Sequence, residues 1–293
     1  MSSTLLEPEF LRKLDRLSLR SRRLFRGMLR GERRSRTLGR GVEFADYRSY
    51  QRGDDYRYID WNIYSRLDRL FIKLFSEEED INVHLFVDTS RSMAWGEPSK
   101  LESGVRLAAA LGYIGLRHSD RVGVVAFADR PHHVLPPHRG RGQVHRLFEA
   151  LAGLEGSGTS DLHAAMWEYV HQTHRRGLLV LISDLLFPNG VEEGLKLARY
   201  HRFDPFVIHL LSDDEVSPQA AGDRALVDIE TQAKVDVSLD GPALDAYAKA
   251  RDAYFAGLEQ FCLRHQIDYL RTTTSVPFED LVLRHLRVGG LIQ

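Results

Sequence analysis

The chain has 293 residues, 43% of them hydrophobic, which suits one large domain or two small ones with a sizeable core. Its lone cysteine, Cys262, excludes a disulfide framework within the chain, and no apolar stretch reaches the roughly 20 residues needed to cross a bilayer. The net charge of −1 hides a split: residues 11–40 carry twelve Arg or Lys against only Asp15 and Glu32, so the rest of the chain is acidic.

Charges interrupt the opening "MSSTLLEPEFLRKLDRL" too early for a signal-peptide core, and a cytoplasmic protein is the expectation. Between residues 9 and 30, Phe10, Leu11, Leu14, Leu17, Leu24, Phe25 and Leu29 recur at near-helical spacing. They predict an amphipathic, Arg-rich helix. "RGERRSRTLGRG" follows as a basic linker, so residues 1–40 read as a basic helical arm. Residues 41–80 are dense in Tyr, Arg and Asp and end in "RLFIKLFSE", an alternating strand with one exposed face. In "RGDDYRYIDW", Gly53 permits a turn, and Asp54 and Asp60 are expected to pair with Arg48, Arg57 or Arg66. Trp61 is expected to pack on the sheet.

From residue 81 strands and helices alternate. "INVHLFVD", "DRVGVVAFAD", "GLLVLISD" and "DPFVIHLLSD" are apolar runs typical of strands buried on both faces, and "HHVLPP" reads as an edge strand because prolines end it. Helices are expected over "KLESGVRLAAALGYIGLRH", "GQVHRLFEALAGL", "TSDLHAAMWEYVHQTH" (capped by Thr159 or Ser160), "VEEGLKLARYHR" and "PALDAYAKARDAYFAGLEQFCLRHQ". "ALVDIET" and "KVDVSLD" form a hairpin insertion, "DYLRTTT" a last strand and "PFEDLVLRHLR" a closing helix. The pattern predicts an α/β domain over 81–293, with a doubly wound, mostly parallel sheet covered by helices on both faces.

Ligands in such folds gather at the carboxyl ends of the strands. Three polar clusters fall there: Asp88, Ser90 and Ser92 after "HLFV"; Thr159 in "GSGTSD"; and Asp184 at the end of "VLISD". All offer hard oxygen, the donor type of Mg²⁺, with few enough carboxylates to leave water in the shell. A metal site is one reading of them, and isolated loop and helix caps are the other.

These residues resemble the metal-ion-dependent adhesion site of von Willebrand factor A domains: Asp-x-Ser-x-Ser at Asp88, Ser90 and Ser92, a distant Thr at Thr159 and a later Asp at Asp184. The preceding segment, with Arg48, Tyr50, Gly53, Asp54, Arg57, Ile59, Asp60, Trp61, Arg66 and Lys73, resembles the bacterial family called domain of unknown function fifty-eight. Together these resemblances imply a von Willebrand factor A-like (Rossmann-like) fold. They imply that the two serines and the Thr contact Mg²⁺ (or Mn²⁺ or Ca²⁺), with the acids acting through water. They also imply a MoxR-type AAA+ ATPase, or its client, as partner.

The expected function is therefore a non-catalytic, metal-ion-dependent adaptor in complex assembly or remodelling, in which a partner carboxylate completes the metal shell. Two other readings stand beside it. One is a metal-dependent phosphate-ester hydrolase with Asp88 as ligand or nucleophile, although a second acid is lacking at residue 90. The other is binding of nucleic acid or an anionic surface through residues 11–40, although no aromatic interleaving marks base stacking there. His132, His133, His138 and His145 also raise a zinc site, but no Cys or carboxylate flanks them at ligand spacing.

Overall fold

The computed structural model describes residues 5–19, 42–52, 54–77, 81–173, 175–187, 190–218 and 222–292. The expected helix beyond residue 19, the linker, Gly53 and the side chains of Lys73, His132 and His133 lie outside what is described. Two compact units emerge: residues 1–23 with 81–293, and residues 24–80. The expected boundary at 40/41 falls inside the second of these.

The 24–80 unit pairs β1 (Val42–Ser49) with β2 (Phe71–Glu77) in antiparallel register. Between them, α2 (Trp61–Leu67) starts at Asp60, whose carboxylate accepts the Asn62 amide at 2.9 Å and the Tyr47 hydroxyl at 3.0 Å. Such a cap stabilises a helix by about 1 kcal/mol. One Nη2 of Arg48 reaches both oxygens of Asp54, at 2.9 and 3.0 Å, while Arg57 forks onto Asp55. The pairing of Asp54 follows expectation. Asp60 serves backbone amides and Tyr47, and Trp61 is 61% exposed rather than packed on the sheet.

In the larger unit, α1 (Pro8–Leu14) opens with proline at its first turn. Its Phe10 and Leu14 join Leu6, Leu17 and Leu19 in the main core, so the apolar stripe of residues 5–19 is spent on packing. Asp15 ends the helix, accepts the Tyr113 hydroxyl at 2.7 Å and pairs with Arg117.

The central sheet has six strands in the order β10-β7-β6-β3-β4-β5. They are β3 (Asn82–Asp88), β4 (Arg121–Phe127), β5 (Pro131–Arg139), β6 (Leu178–Ser183), β7 (Asp204–Leu211) and β10 (Asp268–Thr273). All neighbours are parallel except β5, which runs antiparallel at the edge, where its prolines need no ladder partner on the outer side. Helix α3 (Lys100–Arg117) crosses from β3 to β4. Helices α4 (Val144–Ala152) and α5 (Leu162–Gln172) lead to β6, α6 (Val191–Tyr200) to β7 and α8 (Gly241–Arg264) to β10. A short α7 (Asp213–Val216) and an antiparallel hairpin of β8 (Gly222–Val227) and β9 (Lys234–Leu239) intervene before α8. This is the expected doubly wound α/β architecture, and the insertion is the expected hairpin. No helix among the described residues is long and apolar enough to cross a membrane.

Alternation along the strands splits the core in two. Val83, Leu85 and Val87 of β3, with Leu178, Val180 and Ile182 of β6, meet α1 and α3 on one face. Phe86 of β3, with Leu179 and Leu181 of β6, meets α5, α6 and α8 on the other. At about 25 cal/mol per Å² of apolar surface removed from water, these two layers dominate the favourable side of folding.

Two imidazoles are buried among the second set: Nδ1 of His84 lies 2.6 Å from the Tyr169 hydroxyl, and Nδ1 of His209 lies 2.6 Å from that of Tyr269. Burial, then the charge of Arg176, pushes His84 down to about 4 from 6.5. Burial outweighs the opposing charge of Asp184 at His209, which also falls to about 4. Between these values the unfolded chain binds more protons, so stability falls as pH drops from 6.5 towards 4. Asp88 acts in the opposite sense: its carboxyl is pushed up to about 6 by burial and then by Asp184, so acid favours its folded form. Two imidazoles against one carboxyl leave a net loss. Urea midpoints measured across this window are expected to fall with acidification, and the His84→Gln variant should lose most of that fall, since one imidazole then stands against one carboxyl. An equal fall in both would show that His84 stays charged when folded.

Candidate functional site

Chain order reverses across the β3–β6 pair, since β3 connects onward to β4 on one side and β6 to β7 on the other. This is the switch point at which α/β sheets open a crevice. Asp88 ends β3 and Asp184 follows β6, so both reach that crevice.

Their directions differ, because residues on neighbouring strands alternate faces. Asp88 shares the parity of Phe86, and Ser183 that of Leu181, so both turn to the α5 side. There Asp88, fully buried, accepts the Ser183 hydroxyl at 2.6 Å, the Ser90 amide at 2.9 Å and the Ser160 hydroxyl at 2.9 and 3.1 Å. Ser183 in turn accepts the Leu185 amide at 2.9 Å. The hydroxyls of Ser90 and Ser92 lie 3.0 Å apart, beside a one-turn 3₁₀ segment at Arg91–Ala94.

The loop that carries Ser160 is tied to the exit of β3. The Ser157 amide donates to Thr89 O at 2.7 Å and the Arg91 amide to Gly158 O at 3.2 Å. Gly158 adopts φ +76°, a left-handed conformation that suits glycine. Ser160 then turns inward while its neighbour Thr159 is exposed. The expected cap at Thr159 or Ser160 is instead Asp161, whose Oδ1 accepts the Ala164 amide at 2.9 Å. Asp161 does the capping, which leaves the Ser160 hydroxyl for Asp88.

Asp184 shares the parity of Ile182 and faces α3. Its Oδ2 accepts Nζ of Lys100 at 2.6 Å, with no exposure of that lysine, and its Oδ1 accepts the Leu186 amide at 3.1 Å. Lys100 also pairs with Glu215 of α7, whose position is fixed by a capping box with Ser212. Burial alone would lower the lysine pKa, but Asp184 and Glu215 outweigh it, and the net shift is upward. The structure thus brings Asp88, Ser90 and Ser92 together, sets Asp184 against Lys100, and leaves Thr159 at the surface.

Ser183 and Glu215 were not singled out from the sequence, and Ser160 was expected only as a helix cap. Lys100 left a trace, since it stands in register with Gly104, Leu107, Ala108 and Leu111 on the buried stripe of α3. A cation on a core stripe needs a buried partner.

Among the described residues, no group of three His, Cys, Asp or Glu side chains gathers to hold a metal. The donor set here is of another kind: one carboxylate with several hydroxyls. The 3.0 Å between the Ser90 and Ser92 oxygens matches the spacing of adjacent ligands, about 3 Å, in an octahedral shell with bonds of about 2.1 Å. A buried carboxylate whose pKa is raised also favours a nearby cation. Hard oxygen donors with a single directly available charge fit Mg²⁺ or Mn²⁺.

The Lys100–Asp184 pair makes a stability prediction. In Lys100→Met, Asp184 is left buried without its partner, which typically costs about 3–5 kcal/mol. Adding Asp184→Asn should recover most of that loss in urea unfolding. No recovery in the double variant would show that the lysine stabilises by packing alone.

Residues 46–254 match the family described as protein of unknown function DUF58. No curated protein matches the chain. Similar solved structures include the conserved hypothetical protein BatB from Bacteroides thetaiotaomicron, at 16% identity over 72% of this chain and 98% of that one, with a TM-score of 0.45. An aerotolerance-related membrane protein from Bacteroides fragilis is similar at 18% identity over 71% and 99%, TM-score 0.44. A von Willebrand factor type A protein from Catenulispora acidiphila is similar at 16% over 48% and 34%, TM-score 0.36. The family match covers well over half of the chain, and the chain belongs to the family of proteins of unknown function designated DUF58.

Proposed function

We propose that this protein is a protein-interaction module whose binding face is the Asp88 cup, and that a divalent cation held there recognises an acidic side chain of the partner. The observation that carries the reading is the convergence of Asp88, Ser90, Ser92 and Ser160 on one point at the switch of the sheet. Ser90 and Ser92 present hydroxyl oxygens, and Asp88 supplies the charge from behind them. Ser183 and Ser160 hold that carboxylate in one orientation. When bound, the ion would supply a positive centre with a place for a visiting carboxylate.

The same arrangement favours binding over hydrolysis. Both oxygens of Asp88 are engaged by hydroxyl and amide donors and the side chain is buried, which suits a fixed ligand and disfavours a nucleophile. The lysine next to the cup is locked between two acids with no exposed surface, so it is not placed to meet a transferred phosphoryl group. In residues 5–19 of the basic segment, the apolar stripe is buried in the core, which leaves Lys13 paired with Glu279 at the surface. By family resemblance, the partner is a MoxR-type AAA+ ATPase or its client, met in the cytoplasm.

Calorimetry with Mn²⁺ is expected to show binding to the wild type and a loss of at least about tenfold in affinity for Ser90→Ala and for Asp88→Asn. Co-purification of an ATPase of that class should disappear in chelator and return with added Mn²⁺. Equal Mn²⁺ binding by all three proteins would move the ion elsewhere, and capture insensitive to chelator would remove the ion from recognition.

A further inference from the structure

Seventy residues beyond Ser160 in the chain, the β8–β9 hairpin returns to the same place. Strand β8 is exposed at every residue, from Gly222 to Val227, and Leu226, Val227 and Val235 are about half exposed or more. At the tip the pattern changes: Ile229 and Glu230 are partly buried. What Glu230 meets is Ser160, whose amide points at Glu230 Oε2 from 3.5 Å. One serine therefore lies between two carboxylates. Its hydroxyl donates inward to Asp88, and its amide faces outward to Glu230.

The tip is built to hold this position. Asp228 Oδ1 accepts the amides of Glu230 at 2.9 Å and Thr231 at 2.7 Å, and Asp228 exchanges backbone hydrogen bonds with Gln232 and Ala233. Those donors hold the Asp228 carboxyl below its usual range. The strands behind the tip bury little, so lifting the hairpin away disturbs neither core layer and costs little.

We propose that the hairpin is a built-in competitor for the partner. Glu230 stands at the mouth of the Asp88 cup where the acidic side chain of a partner would dock, and a partner presenting Asp or Glu on a projecting segment engages by displacing it. This rests on the reading of the cup given above. The chemistry is that of one carboxylate exchanging for another against the same amide and the same cation. The closed fraction of the hairpin sets how far the apparent affinity for the partner is reduced.

Hydrogen exchange on the full chain, without metal, tests the contact: Glu230→Ala should speed exchange at the Ser160 amide and over residues 228–233, with the central strands unchanged. Acetate, the simplest carboxylate, tests the competition: read by water-proton relaxation of the Mn²⁺-loaded protein, it should bind Glu230→Ala about tenfold more tightly than wild type. Unchanged exchange and equal acetate affinity would overturn the proposal and leave the cup intact. If neither protein binds Mn²⁺, the ion and the competition both fail, yet faster exchange in the variant would still establish that the hairpin closes the mouth. Glu230→Gln, which keeps size and loses charge, should behave as the alanine variant towards acetate; wild-type behaviour would assign the closure to shape alone and overturn the exchange of carboxylates.

Discussion

A carboxylate placed out of reach of water governs this part of the molecule. Asp88 sits at the end of a strand buried on both faces, and its raised pKa reflects the burial and the second acid nearby. An ionised group in such a place is tolerated only if donors surround it. Two serine hydroxyls and a backbone amide do so here: Ser183 from the neighbouring strand, Ser160 from the loop before α5, and the Ser90 amide from the turn. Serine suits each position because a single hydroxyl fills one acceptor site without crowding the next. The turn at Ser90–Ser92, the left-handed Gly158 and the capping of α5 by Asp161 all follow from bringing those donors to one carboxylate.

The second acid is handled differently. Strand parity sends Asp184 to the opposite face, where Lys100 neutralises it and Glu215 completes the pair. A divalent ion held in the cup as proposed would feel one uncompensated carboxylate, Asp88, with the second already compensated from within the protein. An internal ammonium of this kind would hold this side of the crevice without help from an ion. Binding can then change occupancy without being a condition for folding, unlike the small domains that unfold when they lose their metal.

The sheet was legible in the sequence because near-continuous apolar runs such as "HLFV" and "LLVLIS" have few alternatives to buried strands. The hairpin was legible as well, since two alternating runs flank a turn at Asp228–Ala233. The site was legible to the level of loops and not of side chains. Thr159 and Ser160 are adjacent hydroxyl residues, and nothing in composition separates the one that turns inward. The choice is made by Asp161 capping α5 and by Gly158 setting the path of the chain. Ser183 was hidden because it reads as one more residue of a strand, and its role depends on register with Asp88 across β3 and β6. Lys100 and Glu230 were hidden because their partners are 84 and 70 residues away in sequence. Trp61 went the other way: an aromatic residue expected to pack is exposed, because the cap at Asp60 fixes the helix start whichever way its first residue points.

A cup of hydroxyls around one carboxylate has a thermodynamic consequence. Dipoles hold a hard cation less tightly than full charges do, so such a site leaves much of the ion's electrostatic demand unmet. A carboxylate arriving from outside meets that demand and gains as much as it gives: if the ion strengthens partner binding by some factor, the partner strengthens ion binding by the same factor. A site with three or four acids would hold its ion without help and couple weakly to anything else. If the cup holds an ion as proposed, the hydroxyls at Ser90 and Ser92 are the groups that would make ion and partner depend on each other, and Asp88 alone would not.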